Sequence, residues 1–238
     1  MDNLAPRYVE FMVVEILCSC YTDMRADSKE SHRKGTLMSA QPSHSMSVAE
    51  YLAFEHGQLD KHEYFEGNIY LQAGASVAHN LICANIIAAL RPQLRGSSCR
   101  IYPSDIRIKI PQRPHYVYAD ISIICGTPML DDVDPETVRN PKVIIEILSP
   151  STEDYDRGRK FQAYRRISEL EEYILIAQES VRVEHFVRQT TTMWTMTEYS
   201  ALAATIDLPS IRITLPVRAI YEDLDLSEEP DSASIDTP

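Results

Sequence analysis

The chain has 238 residues, 44% of them hydrophobic, with a formal net charge of −12; that is long and apolar enough to bury a core in one domain with extensions. The negative charge argues against a uniformly basic phosphate-binding surface, because nonspecific affinity for nucleic acid comes largely from lysine and arginine. The acidity is uneven, since Glu222, Asp223, Asp225, Glu228, Glu229, Asp231 and Asp236 sit in a tail without basic residues, and −12 minus −7 leaves −5 for everything before it.

Residues 1–45 differ from the rest. The run FMVVEILCSC is short, interrupted by Glu15 and preceded by acids, so it reads neither as a signal peptide nor as a membrane span. The polar stretch that follows predicts a poorly ordered N-terminal extension, with a short partner-binding helix as the other reading. Met38 and Met46 precede the recognisable domain. Translation from a downstream methionine, and a domain that folds without residues 1–45, are the expectations. The five cysteines, Cys18, Cys20, Cys83, Cys99 and Cys125, are odd in number and lack paired ligand spacing, which predicts a reducing, cytoplasmic setting.

From Ser47 a capping box, Ser47-x-x-Glu50, starts a short surface helix that stops at Gly57. HEYFEGNIYLQ reads as a hairpin turning at Gly67. Glu63 and Glu66 lie in it, and from the residues alone either is an exposed hairpin glutamate or an added acid of a site. A helix is predicted over Val77 to Leu90, capped by Ser76, with His79, Ile82, Cys83, Ile86 and Leu90 on one stripe. His79 on such a stripe reads as a hydrogen-bonded core histidine or as a functional group. Strict alternation over 104–110 predicts a strand with Ile106, Ile108 and Ile110 on one face and Asp105, Arg107 and Lys109 on the other. Asp105 either supports a metal or pairs with Arg107 or Lys109. Asp131, Asp132 and Asp134, in the loop that follows, lack the glycine and terminal glutamate of an EF-hand.

The stretch 116–164 carries the chemistry. Glu146 interrupts the apolar run Val143, Ile144, Ile145, Ile147, Leu148, as expected of a strand covered on both faces. A buried carboxylate needs a partner or a metal. Asp120, in the β-branched run 117–124, is the candidate, with Tyr118 and Ser122 expected on its face. If the two strands are neighbours, the carboxylates converge and suit a hard divalent cation. Lys160, on a helix predicted over about 156–167 with Arg157 and Tyr164 on its stripe, supplies an ammonium. Generic Asp, Glu and Lys residues are more often solvated or structural. Arg107, Lys109 and Arg113, then Arg157, Arg159, Lys160, Arg165 and Arg166, could face a polyanion, although a solvated helix face explains the second group equally well. Beyond this helix, 172–177 reads as a strand, VRVEHFVR and MWTMTEY as an antiparallel pair that packs His185 and Trp194, and residues 222–238 as a disordered acidic tail. No repeat, glycine-rich phosphate loop or serine-centred elbow is present.

The order Asp120, Glu146 and a lysine displaced onto the next helix resembles the PD-(D/E)XK nuclease superfamily, specifically its Uma-two family of restriction-endonuclease-like proteins. HEYFEGNIYLQAGAS, VAHN, YPSDIRIKI, IIEILSPSTEDYDRGRKFQAYRRI and LEEYILI all look like that family, over about 47–212. Two positions depart from the superfamily motif: Ala119 stands where it has proline, and Leu148 where it has lysine. The resemblance implies an α/β restriction-endonuclease-like core of helix, three strands, helix and strand around a mixed sheet, occupying 46–221, with an N-terminal hairpin, a C-terminal strand pair and YPSDIRIKI as first core strand. It also implies a divalent-metal-dependent endonuclease acting on DNA with Mg²⁺ or Mn²⁺. Asp120, Glu146 and the Ile147 carbonyl would hold the ion, Lys160 would orient the attacking water, and Glu63, His79, Asp105 and Tyr164 would support them. A homodimer would suit double-strand cutting. A noncatalytic nuclease-fold module and a metal hydrolase of another substrate remain the alternative readings.

Overall fold

A computed structural model describes residues 45–72, 74–150 and 152–226; the expectations for residues 1–44 and 227–238 lie outside it. The capping box forms as predicted: the Ser47 N–H donates to Glu50 Oε2 at 2.8 Å, and the Glu50 N–H donates to Ser47 Oγ at 3.3 Å. It opens α1 (Val48–Glu55), which is less superficial than expected because Tyr51 and Leu52 are buried. Strands β1 (His62–Phe65) and β2 (Asn68–Leu71) make the predicted hairpin. Glu66 and Gly67 take φ of 47° and 91° at its two-residue turn, where glycine lowers the steric penalty.

Helix α2 (Val77–Leu90) has the predicted bounds and Ser76 cap. Next come β3 (Cys99–Pro103), β4 (Arg107–Ile110), β5 (His115–Tyr118), β6 (Ile121–Cys125), β7 (Thr137–Val138) and β8 (Val143–Leu148). After a helical segment follow β9 (Glu172–Ala177), β10 (Val183–Arg188), β11 (Trp194–Tyr199), β12 (Thr205–Leu208), β13 (Ile213–Pro216) and α5 (Val217–Ile220). A six-stranded mixed sheet orders its strands β11-β10-β9-β8-β6-β3, with β8 and β9 parallel. A five-stranded sheet, β2-β1-β5-β4-β7, lies apart from it in pairing, and β12-β13 form a separate hairpin.

One apolar cluster joins α2, one face of the six-stranded sheet, β12-β13 and α5; a second joins the opposite face to β4, β5 and the helical segment. Alternation along β8 sends Val143, Ile145 and Ile147 to the first and Ile144 and Leu148 to the second. Glu146 shares the parity of the latter pair.

Several expectations change. The central sheet receives Cys99–Pro103 as its first strand, while Arg107–Ile110 joins the other sheet, so YPSDIRIKI bridges two sheets. The run 117–124 is broken at Ala119 and Asp120, where the chain passes between sheets. Cys99 stands opposite Cys125 on β3 and β6 and is joined to it by a disulfide; a separation of 26 residues hid this pairing, and the cysteines lose their force as an argument for a reducing compartment. The tail expected to be disordered from 222 is placed through 226: Asn85 Nδ2 donates to the Glu222 carbonyl at 2.8 Å, and Leu224 and Leu226 pack on the first cluster. No helix among the described residues is long and apolar enough to cross a membrane.

Candidate active site

Asp120 occupies the crossing from β5 to β6. Because Ile121 pairs with Ile145 in the antiparallel β6-β8 ladder, the next register position sets Asp120 beside Glu146. The Ile147 N–H donates to Asp120 Oδ2 at 2.7 Å, and the Asp120 N–H reaches Glu146 Oε2 at 3.4 Å. The predicted neighbouring strands and converging carboxylates are therefore present.

Lys160 arrives on a helix that begins earlier than predicted and is not regular. Helix α3 (Glu153–Tyr155) runs through a π-helical turn (Asp156–Lys160) into α4 (Phe161–Tyr164). Such widened turns re-aim side chains and often occur at functional sites. Here the turn directs Asp156 and Lys160 inward together, with Lys160 Nζ 3.6 Å from Asp156 Oδ1. Lys160 Nζ lies 3.0 Å from Glu146 Oε1 and 3.2 Å from Glu63 Oε1. Tyr164, one α-helical turn on, donates its hydroxyl to Glu146 Oε1 at 2.9 Å. Arg157 does not share this destination; it pairs with Glu153 and Glu184.

The hairpin supplies Glu63, which is buried and accepts from the Tyr155 hydroxyl at 2.6 Å and the Tyr118 N–H at 3.2 Å. Glu66, its alternative, faces out and pairs with Arg113. His79 is fixed at the start of α2 because its N–H donates to the capping Ser76 Oγ at 3.0 Å. Its Nε2 lies 3.1 Å from Asp120 Oδ2, and its Nδ1 lies 3.9 Å from Cys83 Sγ. Glu63, His79, Asp120, Glu146, Asp156 and Lys160 line one cleft of about 900 Å³, and Tyr164 stands behind it.

Burial would raise the Asp120 pKa, but the His79 hydrogen bond and charge, the Lys160 ammonium and the Ile147 N–H hold it below the ordinary aspartate value. Burial pushes Glu146 well above the usual carboxylate range despite Lys160, with Asp120 and Asp156 adding repulsion. Burial alone would lower Lys160, yet Glu146 and Glu63 outweigh it and hold its ammonium protonated well above the ordinary value of 10.5. The Cys83 thiol, raised to about 12 by burial and then by Asp120 and Glu146, stays neutral.

Four carboxyl groups, Glu63, Asp120, Glu146 and Asp156, face one ammonium, which leaves an excess of acid in a buried place. Among the described residues Asp120 Oδ1 has no hydrogen-bond partner, and Glu146 Oε2 has only the 3.4 Å contact. A pair of hard oxygen donors left open beside a cleft fits a divalent cation. Ile147 also lines the cleft. A separate group, His56, Asp134 and Glu136, brings three candidate ligand atoms together, but none of these residues lines the cleft and Asp134 is held by Arg107 at 2.9 Å.

Asp105 is placed elsewhere. It precedes β4, its side chain is 87% exposed, and it pairs with Lys61 at 3.1 Å rather than with Arg107 or Lys109. The polar face expected of that strand is largely internal, since Arg107 is buried against Asp134 and Lys109 reaches Asp131 at 2.6 Å. With Arg113 on Glu66, the first group of cations expected to meet a polyanion is tied to carboxylates. Sequence reasoning missed Asp156 and Tyr155. The i−4 spacing of Asp156 from Lys160 was the available signal for the first; Tyr155 gave none, because its partner Glu63 is remote in sequence.

The mixed sheet, flanking helix and carboxylate pair at the sheet crossing define a restriction-endonuclease-like fold. A crystal structure of a putative nuclease belonging to DUF820 from Anabaena variabilis ATCC 29413 superposes with a TM-score of 0.58 at 18% identity, covering 74% of this chain and 97% of that one. The Uma2 family model, described as putative restriction endonuclease, matches residues 48–218, and the chain belongs to that family. Two uncharacterized Synechocystis proteins, slr1290 and sll1609, are each 34% identical to it, over 77% and 71% of this chain and 95% of their own lengths.

Proposed function

We propose that this protein is a nuclease that hydrolyses phosphodiester bonds in DNA with the help of a divalent cation, Mg²⁺ or Mn²⁺. The observation that carries the reading is the meeting of Asp120, Glu146 and Lys160, from a sheet crossing, a central strand and a π-helical turn, with two carboxylate oxygens open to a cleft. Membership of a family described as putative restriction endonuclease points the same way.

Asp120 and Glu146, with the Ile147 carbonyl, would hold the ion, which when bound supplies Lewis-acid polarisation of the phosphate and a more acidic water. Lys160 remains an ammonium, so its part is to orient the attacking water by donation and to stabilise charge gathering on the phosphate oxygens, not to remove a proton. Tyr164 and Glu63 fix where that ammonium points. His79 holds Asp120 in register for the ion.

A noncatalytic binding module is the rival favoured by one observation: Lys160 is already enclosed by three carboxylates. Calorimetric titration with Mn²⁺, paired with an oligonucleotide cleavage assay, separates the two. The nuclease reading expects metal binding that Asp120→Asn removes, together with cleavage. Site-dependent metal binding without DNA cleavage would point to another phosphoester or hydrolysable substrate, and loss of both activities would leave the binding module.

A further inference from the structure

We infer that the strand this cleft accepts is single-stranded DNA, its unpaired bases stacked along an aromatic row on the hairpin and its backbone met by Arg159. The inference rests on the nuclease reading and names the form of its substrate.

The row begins outside and ends at the site. Tyr70 pairs directly across the hairpin with Glu63, so both side chains rise from the same sheet face, and Glu63 is the residue that touches Lys160. Tyr70 makes an edge contact with Phe65 at 6.2 Å, and Phe65 makes another with Tyr155 at 5.8 Å. The Tyr155 ring lies 5.9 Å from Lys160 Nζ. Three rings therefore lead from solvent to the ammonium, and all three line the cleft. Tyr70 is 47% exposed, Leu71 beside it 62%, and Leu59 on the same rim fully so. Large apolar side chains left uncovered at one cleft mouth mark a binding surface.

Charge selects among nucleic acids. A duplex hides the faces of its bases and presents phosphates on two strands, so gripping it calls for several free cations. Among the described residues, three lysine or arginine residues line this cleft: Lys61 is tied to Asp105 and Ser104, and Lys160 to its carboxylates. Arg159 is exposed and has no carboxylate partner among the described residues. With the acids Asp60, Glu63, Asp120, Glu146 and Asp156 lining the same walls, a duplex would be repelled more than it is held. A single strand has lower charge density and unpaired π-faces, and single-strand binders combine stacking rings with few cations in this way.

The test is fluorescence anisotropy of one labelled oligonucleotide, single-stranded and annealed to its complement, with Ca²⁺ in place of Mg²⁺. The full chain is compared with Tyr70→Ala, Leu59→Ser and Arg159→Gln. The expected result is tighter binding of the single strand, weakened about tenfold or more by Tyr70→Ala. Arg159→Gln should lower the salt dependence by about one phosphate contact. Tyr70 lies on an edge strand and Leu59 in an exposed loop, and unchanged thermal melting would confirm that these variants fold. Equal or tighter binding of the duplex, or indifference of single-strand affinity to Tyr70→Ala, overturns the inference. So does a dimer in solution that Tyr70→Ala dissociates, because the apolar rim would then be a contact between copies. A parallel assay with Mg²⁺ separates the failures: duplex cleaved as fast as single strand leaves the nuclease reading standing and removes this one, whereas no cleavage of either strand form removes the nuclease reading itself.

Discussion

Two buried charge clusters in this molecule look alike in composition and differ in what they leave open. Beside the β4-β7 end of the five-stranded sheet, Asp134 receives Arg107 at 2.9 Å, the Thr137 hydroxyl and the Glu136 N–H, so both of its oxygens are engaged. Asp131 likewise takes Lys109 and the Tyr116 hydroxyl on separate oxygens. At the sheet crossing, by contrast, Asp120 keeps one oxygen without a partner among the described residues, and Glu146 is buried against more acid than base. A cluster that only holds the fold closes the valences of its carboxylates, because an unsatisfied buried charge is destabilising; here only Arg107 Nη1 is left without a hydrogen-bond partner among the described residues of that cluster. One that binds a ligand keeps some open and bears that strain until the ligand arrives.

The largest expected effects come from emptying the open cluster. Asp120→Asn, Glu146→Gln and Lys160→Ala should each reduce DNA cleavage by about 10²-fold to 10³-fold or more, measured as initial rates at saturating Mg²⁺. Retention of near-parental rates in any one would remove that residue from the mechanism. The closed cluster should answer in stability instead. Arg107→Met strands Asp134 in the interior and is expected to lower unfolding free energy by about 3–5 kcal/mol, read from the urea midpoint, while Mn²⁺ affinity of the folded protein stays unchanged. If affinity fell with stability, the two clusters would not be separate.

A smaller effect is expected from His79→Ala. Loss of the group that orients Asp120 should weaken metal binding by about 10–100-fold without abolishing it, and His79→Asn, which can still donate a hydrogen bond, should recover part of it. The smallest test concerns pH. Lys160 has a folded pKa raised above its ordinary 10.5, so the stability its ammonium contributes is complete below that value and is lost as pH rises through the folded one. The stability difference between the parent and Lys160→Met should therefore shrink in alkali. A difference that held constant or grew as pH climbed above 10.5 would mean that the ammonium is not favourably held.

Much of this architecture was legible in local sequence. Ser47-x-x-Glu50 and Ser76 announced helix starts, Glu66–Gly67 a turn, and the apolar run around Glu146 a doubly covered strand. The partnership of Asp120 with Glu146 followed from asking what a buried carboxylate needs. What stayed hidden was set by long-range register. The break at Ala119 and Asp120 leaves the β-branched pattern nearly intact while moving the chain between sheets. Arg107 alternates like a surface residue, and only the position of Asp134 in a distant loop explains its burial. The hairpin β12-β13, which no local signal announced, shares an apolar cluster with α2. The π-helical turn has no signature that period-based reading detects, yet it is what brings Asp156 and Lys160 to the same carboxylates.

The most direct measurement is cleavage of supercoiled and single-stranded DNA by the purified protein with Mg²⁺ or Mn²⁺, beside Asp120→Asn, Glu146→Gln and Lys160→Ala variants shown to be folded. The account predicts cleavage by the parent that requires the cation and disappears in all three. Cleavage that persists in the variants, or a parent that binds the cation through Asp120 and leaves both DNA forms intact, would contradict it.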